Sequence, residues 1–209
     1  MNNSQRPLSC VRQFRRWPCV SAVFCVILLA EAAIADNYAI VPGHSIGKAW
    51  IGAPRDATQK VLGKPTETHQ RNDKTVEDVW LFSGSSAKEN LPQSLKVLYS
   101  KNRVVQIETT APKFSIEGLS LRSDPYQIRK RFGPMRVSVY NSVFNRQQSF
   151  HYYYDNAPRG ITFSVRVHGA REVATRFQSV IVHRKGHQVV PEPGETFLSQ
   201  LWDKAEKKP

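Results

Sequence analysis

Beyond residue 35 the chain contains no cysteine: Cys10, Cys19 and Cys25 all lie in the opening segment. The remainder therefore has no disulfide and no thiol nucleophile, and it must hold together by burial alone. Glycine-rich phosphate loops are also missing, and no serine is expected in the local contexts, G-x-S-x-G or S-x-x-K, that expose and activate a nucleophile. Carboxylates at Glu77, Asp78, Glu108, Glu117, Asp124 and Asp155 show no pairing of the glycosidase kind. His183 and His187 are four apart, but Gly186 and the β-branched run before them predict a strand end and a turn. Strand residues with that spacing stand about 13 Å apart, too far to share a metal ion. The expectation is a non-enzyme without cofactor or metal.

What the chain does have begins with an export signal. Arg6, Arg12, Arg15 and Arg16 form a basic start, Val20–Ala30 is an apolar run too short to span a bilayer comfortably, and Ala33–Ala35 supplies small residues for cleavage. The pattern predicts a signal peptide over residues 1–35, cut between Ala35 and Asp36. The alternative is an uncleaved N-terminal anchor. The destination is the periplasm or the extracellular space.

The whole chain carries 30 basic and 17 acidic residues; removing four arginines and one glutamate with the signal leaves 26 and 16, a net charge of +10. Export argues against nucleic acid as the partner of this charge. An acidic protein patch, an anionic membrane surface or an acidic wall polymer fits better.

A repeat organises the rest. Shifted by 70 residues, Ser45-Ile46 meets Ser115-Ile116, Ile51 meets Leu121, Lys60 meets Lys130 and Leu62-Gly63 meets Phe132-Gly133. Each copy predicts a short strand, then one helix that ends at glycine and is followed by proline. The first helix has Pro54 in its first turn and an Ala57/Val61 stripe. The second has Ser123 as its cap and an Ile128/Phe132 stripe. Strand-like runs follow: Val76–Phe82, Ser94–Ser100 and Arg103–Thr109 in the first copy. The second copy has Arg136–Val143, Gln148–Tyr154, Gly160–Val167 and Phe177–His183. Lys101-Asn102, Asn145-Arg146 and Asp155–Gly160 read as turns, and His168–Arg176 as a longer hairpin or a short helix. This predicts an α+β fold of two tandem units, 36–112 and 113–190, each a short helix with an antiparallel sheet and both helices on one face.

Leu62, Gly63, Pro65, Trp80, Phe82, Leu95, Val97, Tyr99, Arg103, Val104 and Ile107 then carry a resemblance. They are similar to a module of the small lipoprotein in the outer-membrane β-barrel assembly machine. The same module occurs in tandem in the secreted β-lactamase inhibitor protein. Gly118, Phe132, Gly133, Tyr152, Gly160, Ile161, Phe163 and Val182 carry the second copy, so the resemblance spans about Gly43 to Arg184. It implies a protein-binding surface and names no ligand. The lipid-attachment cysteine of the first relative and the disulfides of the second are lacking here, so neither specific role is carried across.

Two clusters are candidate partner contacts. Arg129 and Arg131 belong to the densest basic patch, although cations in a last helical turn also complement the helix dipole. In Ser149–Asp155, alternation separates Phe150, Tyr152 and Tyr154 from His151 and Tyr153. Phe150 and Tyr152 are assigned to the core, which leaves His151 and Tyr153 to face a partner. After the breaker Pro191–Gly194, Phe197/Leu201 and Leu198/Trp202 predict an amphipathic helix within the tail 191–209. The functional expectation is an exported, non-catalytic protein-binding or envelope-scaffold module. Its alternatives are charge-driven association with anionic lipid or wall polymer, and an unrecognised hydrolase.

Overall fold

The first helix, α1 (Arg55–Leu62), follows Pro54 and stops at Gly63, whose φ of 84° is open to glycine at little cost. Its buried side chain is Thr58, which bonds back to the Pro54 carbonyl; Ala57 and Val61, the expected stripe, face outward. The second, α2 (Pro125–Phe132), buries Ile128 and Phe132 as expected. Asp124, not Ser123, caps it by accepting the Tyr126 N–H at 2.8 Å, while the Ser123 hydroxyl accepts the Ser120 N–H.

The structure, a computed structural model, describes residues 37–82, 92–144, 147–168 and 176–202. The expected signal peptide over 1–35, the expected Asn145-Arg146 turn and most of the His168–Arg176 stretch lie outside the described residues. Three two-residue strands, β1 (Ile40–Val41), β2 (Ser45–Ile46) and β3 (Ala49–Trp50), precede α1. After α1 come β4 (Glu67–Asn72), β5 (Thr75–Leu81), β6 (Ser94–Ser100) and β7 (Arg103–Thr109). A small hairpin, β8 (Ser115–Ile116) and β9 (Leu119–Ser120), leads into α2. Then follow β10 (Arg136–Phe144), β11 (Gln147–Asn156), β12 (Ile161–His168), β13 (Ser179–His183) and β14 (Thr196–Trp202).

The expected α+β pair of helix-plus-sheet units is not what the chain builds. The described residues are mostly β, and among them one nine-stranded sheet, ordered β14-β10-β11-β12-β13-β7-β6-β5-β4, dominates two eight-residue helices. The cause lies at the centre. β13 pairs antiparallel with β7 from Val180↔Thr109 to His183↔Gln106, so both halves share one ladder. A single cluster of buried side chains correspondingly runs through Ile46, Trp80, Val97, Ile107, Ile128, Phe132, Phe163 and Val182. The tail departs as well. Thr196–Trp202 is a strand on the edge of β10 rather than a helix, with a register shift between Val139 and Tyr140.

Strand register divides the sheet into two faces. Trp80, Leu95, Thr109, Val180, Phe163, Tyr154 and Val137 are successive cross-strand neighbours on the face that receives the helices. Phe132 of α2 packs on Phe163 with ring centroids 5.1 Å apart, and the Trp80 indole donates to the Gly63 carbonyl at 3.1 Å. Lys101 and Asn102, both at positive φ, form the tight β6–β7 turn. No helix among the described residues is long and apolar enough to cross a membrane.

Candidate functional site

The opposite, helix-free face has a different chemistry. One cross-strand row runs Glu67, Val79, Lys96, Glu108, Ile181, Thr162, Asp155 and Arg136. A second runs Arg166, His151, Tyr140 and Phe197 across β12, β11, β10 and β14. Between them lie Ser179, Ser164, Tyr153 and Ser138. Ionic, hydroxyl and aromatic groups thus occupy positions where the other face carries valine, leucine and phenylalanine. A sheet face this polar is stable only if it is solvated or paired.

Here much of it is paired, by the segment that links β13 to β14. Val189 is buried against Ile181 and Tyr153. The Gln106 side-chain amide donates to the Val190 carbonyl at 3.2 Å and accepts the Val190 N–H at 2.8 Å. Glu192 accepts from Lys96 at 3.0 Å and from Arg166. Glu195 accepts from the Tyr153 hydroxyl at 2.9 Å, and its other oxygen lies 2.6 Å from His151 Nδ1. Arg166 also reaches Glu195 at 3.4 Å, and Lys96 lies 3.8 Å from Glu108. We call residues 189–195 the strap.

The electrostatics follow from this packing. Burial opposes ionisation of Glu192, yet Lys96 and Arg166 outweigh it and bring the group down to about 2. Glu108, and after it Glu192, push Lys96 up against the opposing effect of burial. Burial, reinforced by Glu195, pushes the Tyr153 hydroxyl up, so it stays a donor. His151, Glu192 and Glu195 bring possible ligand atoms within 4.8 Å of one another. Both carboxylates are already bonded to cations, however, and a metal ion would have to displace Lys96 and Arg166 to be held there.

Elsewhere, Arg55 grips Asp78 through two bonds of 2.6 and 2.9 Å, joined by Gln59 and Thr68. Burial opposes ionisation of Asp78, but these donors together hold its carboxyl below the usual range. On the helix-free face His183 Nε2 and the Thr162 hydroxyl both meet Asp155 Oδ1, at 3.1 and 2.9 Å. This is a triad in outline, but all three members are buried and none can meet a substrate in this conformation. Gly43-His44-Ser45-Ile46-Gly47 does fit the letters G-x-S-x-G, and Ser45 with Lys48 those of S-x-x-K, against the expectation that no serine lies in such a context. Ser45 sits in the hairpin strand β2, buried, without the strand-to-helix elbow that the motif requires.

The predicted contact residues fall out unequally. Alternation separates the two sets in Ser149–Asp155 correctly, and Tyr152 and Tyr154 pack against the core. His151 and Tyr153 nevertheless are only 5% and 1% exposed, because the strap covers them. They hold the strap and do not meet solvent. Arg129 and Arg131 are exposed on α2. Arg131 pairs with Glu117, which also binds Arg159 at 3.0 Å, so part of this basic patch is neutralised within the chain. The site residues that the sequence reading missed are Gln106, Lys96, Arg166, Glu192 and Glu195. Lys96 and Gln106 alternate with core residues on the helix-free face, and nothing in the local sequence marks that face as one to be covered.

No family profile matches the chain, and no curated protein matches it. A solved structure similar to part of it is the 1.5 Å crystal structure of an extracellular protein containing a SCP domain from Bacillus anthracis str. Ames. The two share 8% identity and a TM-score of 0.39 over 65% of this chain. The match spans 44% of that protein, less than half its length. A likeness at this level carries no argument about fold or function.

Proposed function

We propose that this is an exported, non-catalytic binding protein whose partner, another protein, docks on the helix-free face of the nine-stranded sheet. The observation that carries the reading is the asymmetry of the two faces. One is filled by both helices and the hydrophobic core. The other is a ladder of charged, hydroxyl and aromatic groups whose border remains open, with Phe197 52% exposed and Tyr140 edge-to-face against it, ring centroids 5.5 Å apart. Exposed aromatic groups are enriched in protein-binding patches relative to the rest of a protein surface. Export is supported by the basic, apolar and small-residue succession of residues 1–35. The net charge of +10 that follows removal of that segment favours an acidic partner surface.

Cross-linking in intact cells, followed by mass spectrometry of the purified chain, tests this. The expected result is a discrete exported protein linked to peptides of β10, β11 or β14. Links confined to lipid or polymer, or protein links only through α1 and α2, would overturn it. N-terminal sequencing of the purified protein should begin at Asp36.

A further inference from the structure

The strap is held in the manner of a bound peptide. The contacts between it and the sheet would equally serve a segment supplied from elsewhere. Gln106 reads both backbone groups of Val190 and so recognises an extended main chain whatever its side chain. Lys96 and Arg166 hold one carboxylate, while His151 and Tyr153 hold the second, three residues further on. Ile181 and Tyr153 receive one apolar side chain. Between the two carboxylates the strap turns: the Glu195 N–H donates to the Glu192 carbonyl at 3.3 Å, the Glu192 N–H donates to the Glu195 side chain at 3.1 Å, and Pro193-Gly194 form the corner, with Gly194 at φ 79°. The chain enters past Gly186, at φ 78°, and residues 184–188 before the strap are exposed.

We infer that the surface formed by Lys96, Gln106, His151, Tyr153 and Arg166 is a binding site for an acidic peptide segment that turns between its two carboxylates, and that residues 189–195 occupy it in cis. The ligand class is an apolar residue followed within a few positions by two carboxylates three apart. This deepens the proposed function, since it rests on the helix-free face being the contact surface. It also explains why that face is closed in the isolated chain. A tethered segment competes at an effective concentration in the millimolar range, so a partner's segment must either bind more tightly or find the strap open.

The test uses the full chain carrying Glu192→Gln and Glu195→Gln, probed with a labelled peptide of residues 189–196. Amide exchange at Val190 reports opening of the strap, and exchange in β6 and β12 reports the fold. The expected result is that the variant binds the peptide at least ten-fold more tightly than the unaltered chain. The same peptide with both glutamates replaced by glutamine binds neither, and added salt weakens the complex. If the double variant does not fold, Val189→Ser loosens the strap without touching the receiving side chains. An opened strap, an intact sheet and no gain in peptide binding would overturn the inference and leave the strap a structural clasp. In that case an exported partner still linked to β10 or β14 leaves the broader function standing. Peptide binding without any such partner has the reverse meaning.

Discussion

At the scale of single residues, the molecule depends on carboxylates that are ionised where burial disfavours it. Asp78 and Glu192 are both held below their unfolded values, near 3.9 and 4.3 for ordinary Asp and Glu, by hydrogen-bonded cations. A depressed carboxyl contributes stability that is complete above its unfolded value and lost as pH falls through its folded one. Stability should therefore be insensitive to these groups above about pH 5 and decline toward pH 2. Denaturant melts across that range, with the unaltered chain and Glu192→Gln compared, measure it. Glu192→Gln should cost about 1–3 kcal/mol near neutral pH, because Lys96 and Arg166 lose a charged acceptor, and should flatten part of the acid decline. Tyr153→Phe removes one donor to Glu195 and should cost about 1 kcal/mol, with faster amide exchange confined to the strap. A loss spread evenly over the sheet would contradict the local role given to Tyr153.

At the scale of elements, two glycines separate conformational strain from crowding. Gly133 ends α2 at φ 77° with open space around the place a Cβ would take. Gly133→Ala should cost about 1 kcal/mol, the price of the backbone conformation alone. Gly160, at φ 72°, would put a Cβ 2.5 Å from the His183 carbonyl and 2.6 Å from Gly43 Cα. Gly160→Ala must push apart the β11–β12 turn and the β1–β2 turn, and its loss should be clearly the larger in paired melting experiments. These stops and turns were among the legible parts of the chain. So were β6 and β7, whose residue ranges follow from alternation on either side of Lys101-Asn102. β4 was not legible, because Glu67–Asn72 is an edge strand almost wholly exposed and has no apolar period to betray it. β14 was misread because Phe197/Leu201 and Leu198/Trp202 keep helical spacing, while its true partner, β10, lies some 60 residues earlier in the chain. For His151 and Tyr153 the sequence separated the faces but could not say which would be covered, since Glu195 meets them from 44 and 42 positions away.

At the scale of the whole molecule, the β7–β13 ladder decides how the chain behaves. The resemblance between the opening segments of the two halves suggests two units, but Val97, Ile107, Val182 and Ile161 are neighbours across strands from both. A shared ladder and core predict one cooperative unfolding transition, with tryptophan fluorescence and far-ultraviolet circular dichroism changing together. Two separable transitions would show that the halves stand independently. A sheet closed on one face and laddered with polar groups on the other is also what gives the proposed function its direction: the helix side is committed to folding, and recognition is left to the side under the strap.

The most direct measurement of that claim is site-specific photo-cross-linking in intact cells. The photoreactive residue is placed at Tyr140 or Phe197 on the helix-free face, and at Val61 or Tyr126 on the exposed sides of α1 and α2. The account predicts a discrete protein adduct from Tyr140 and Phe197 and none of comparable yield from Val61 and Tyr126. Equal adducts from all four positions, or adducts from the helices alone, would contradict it.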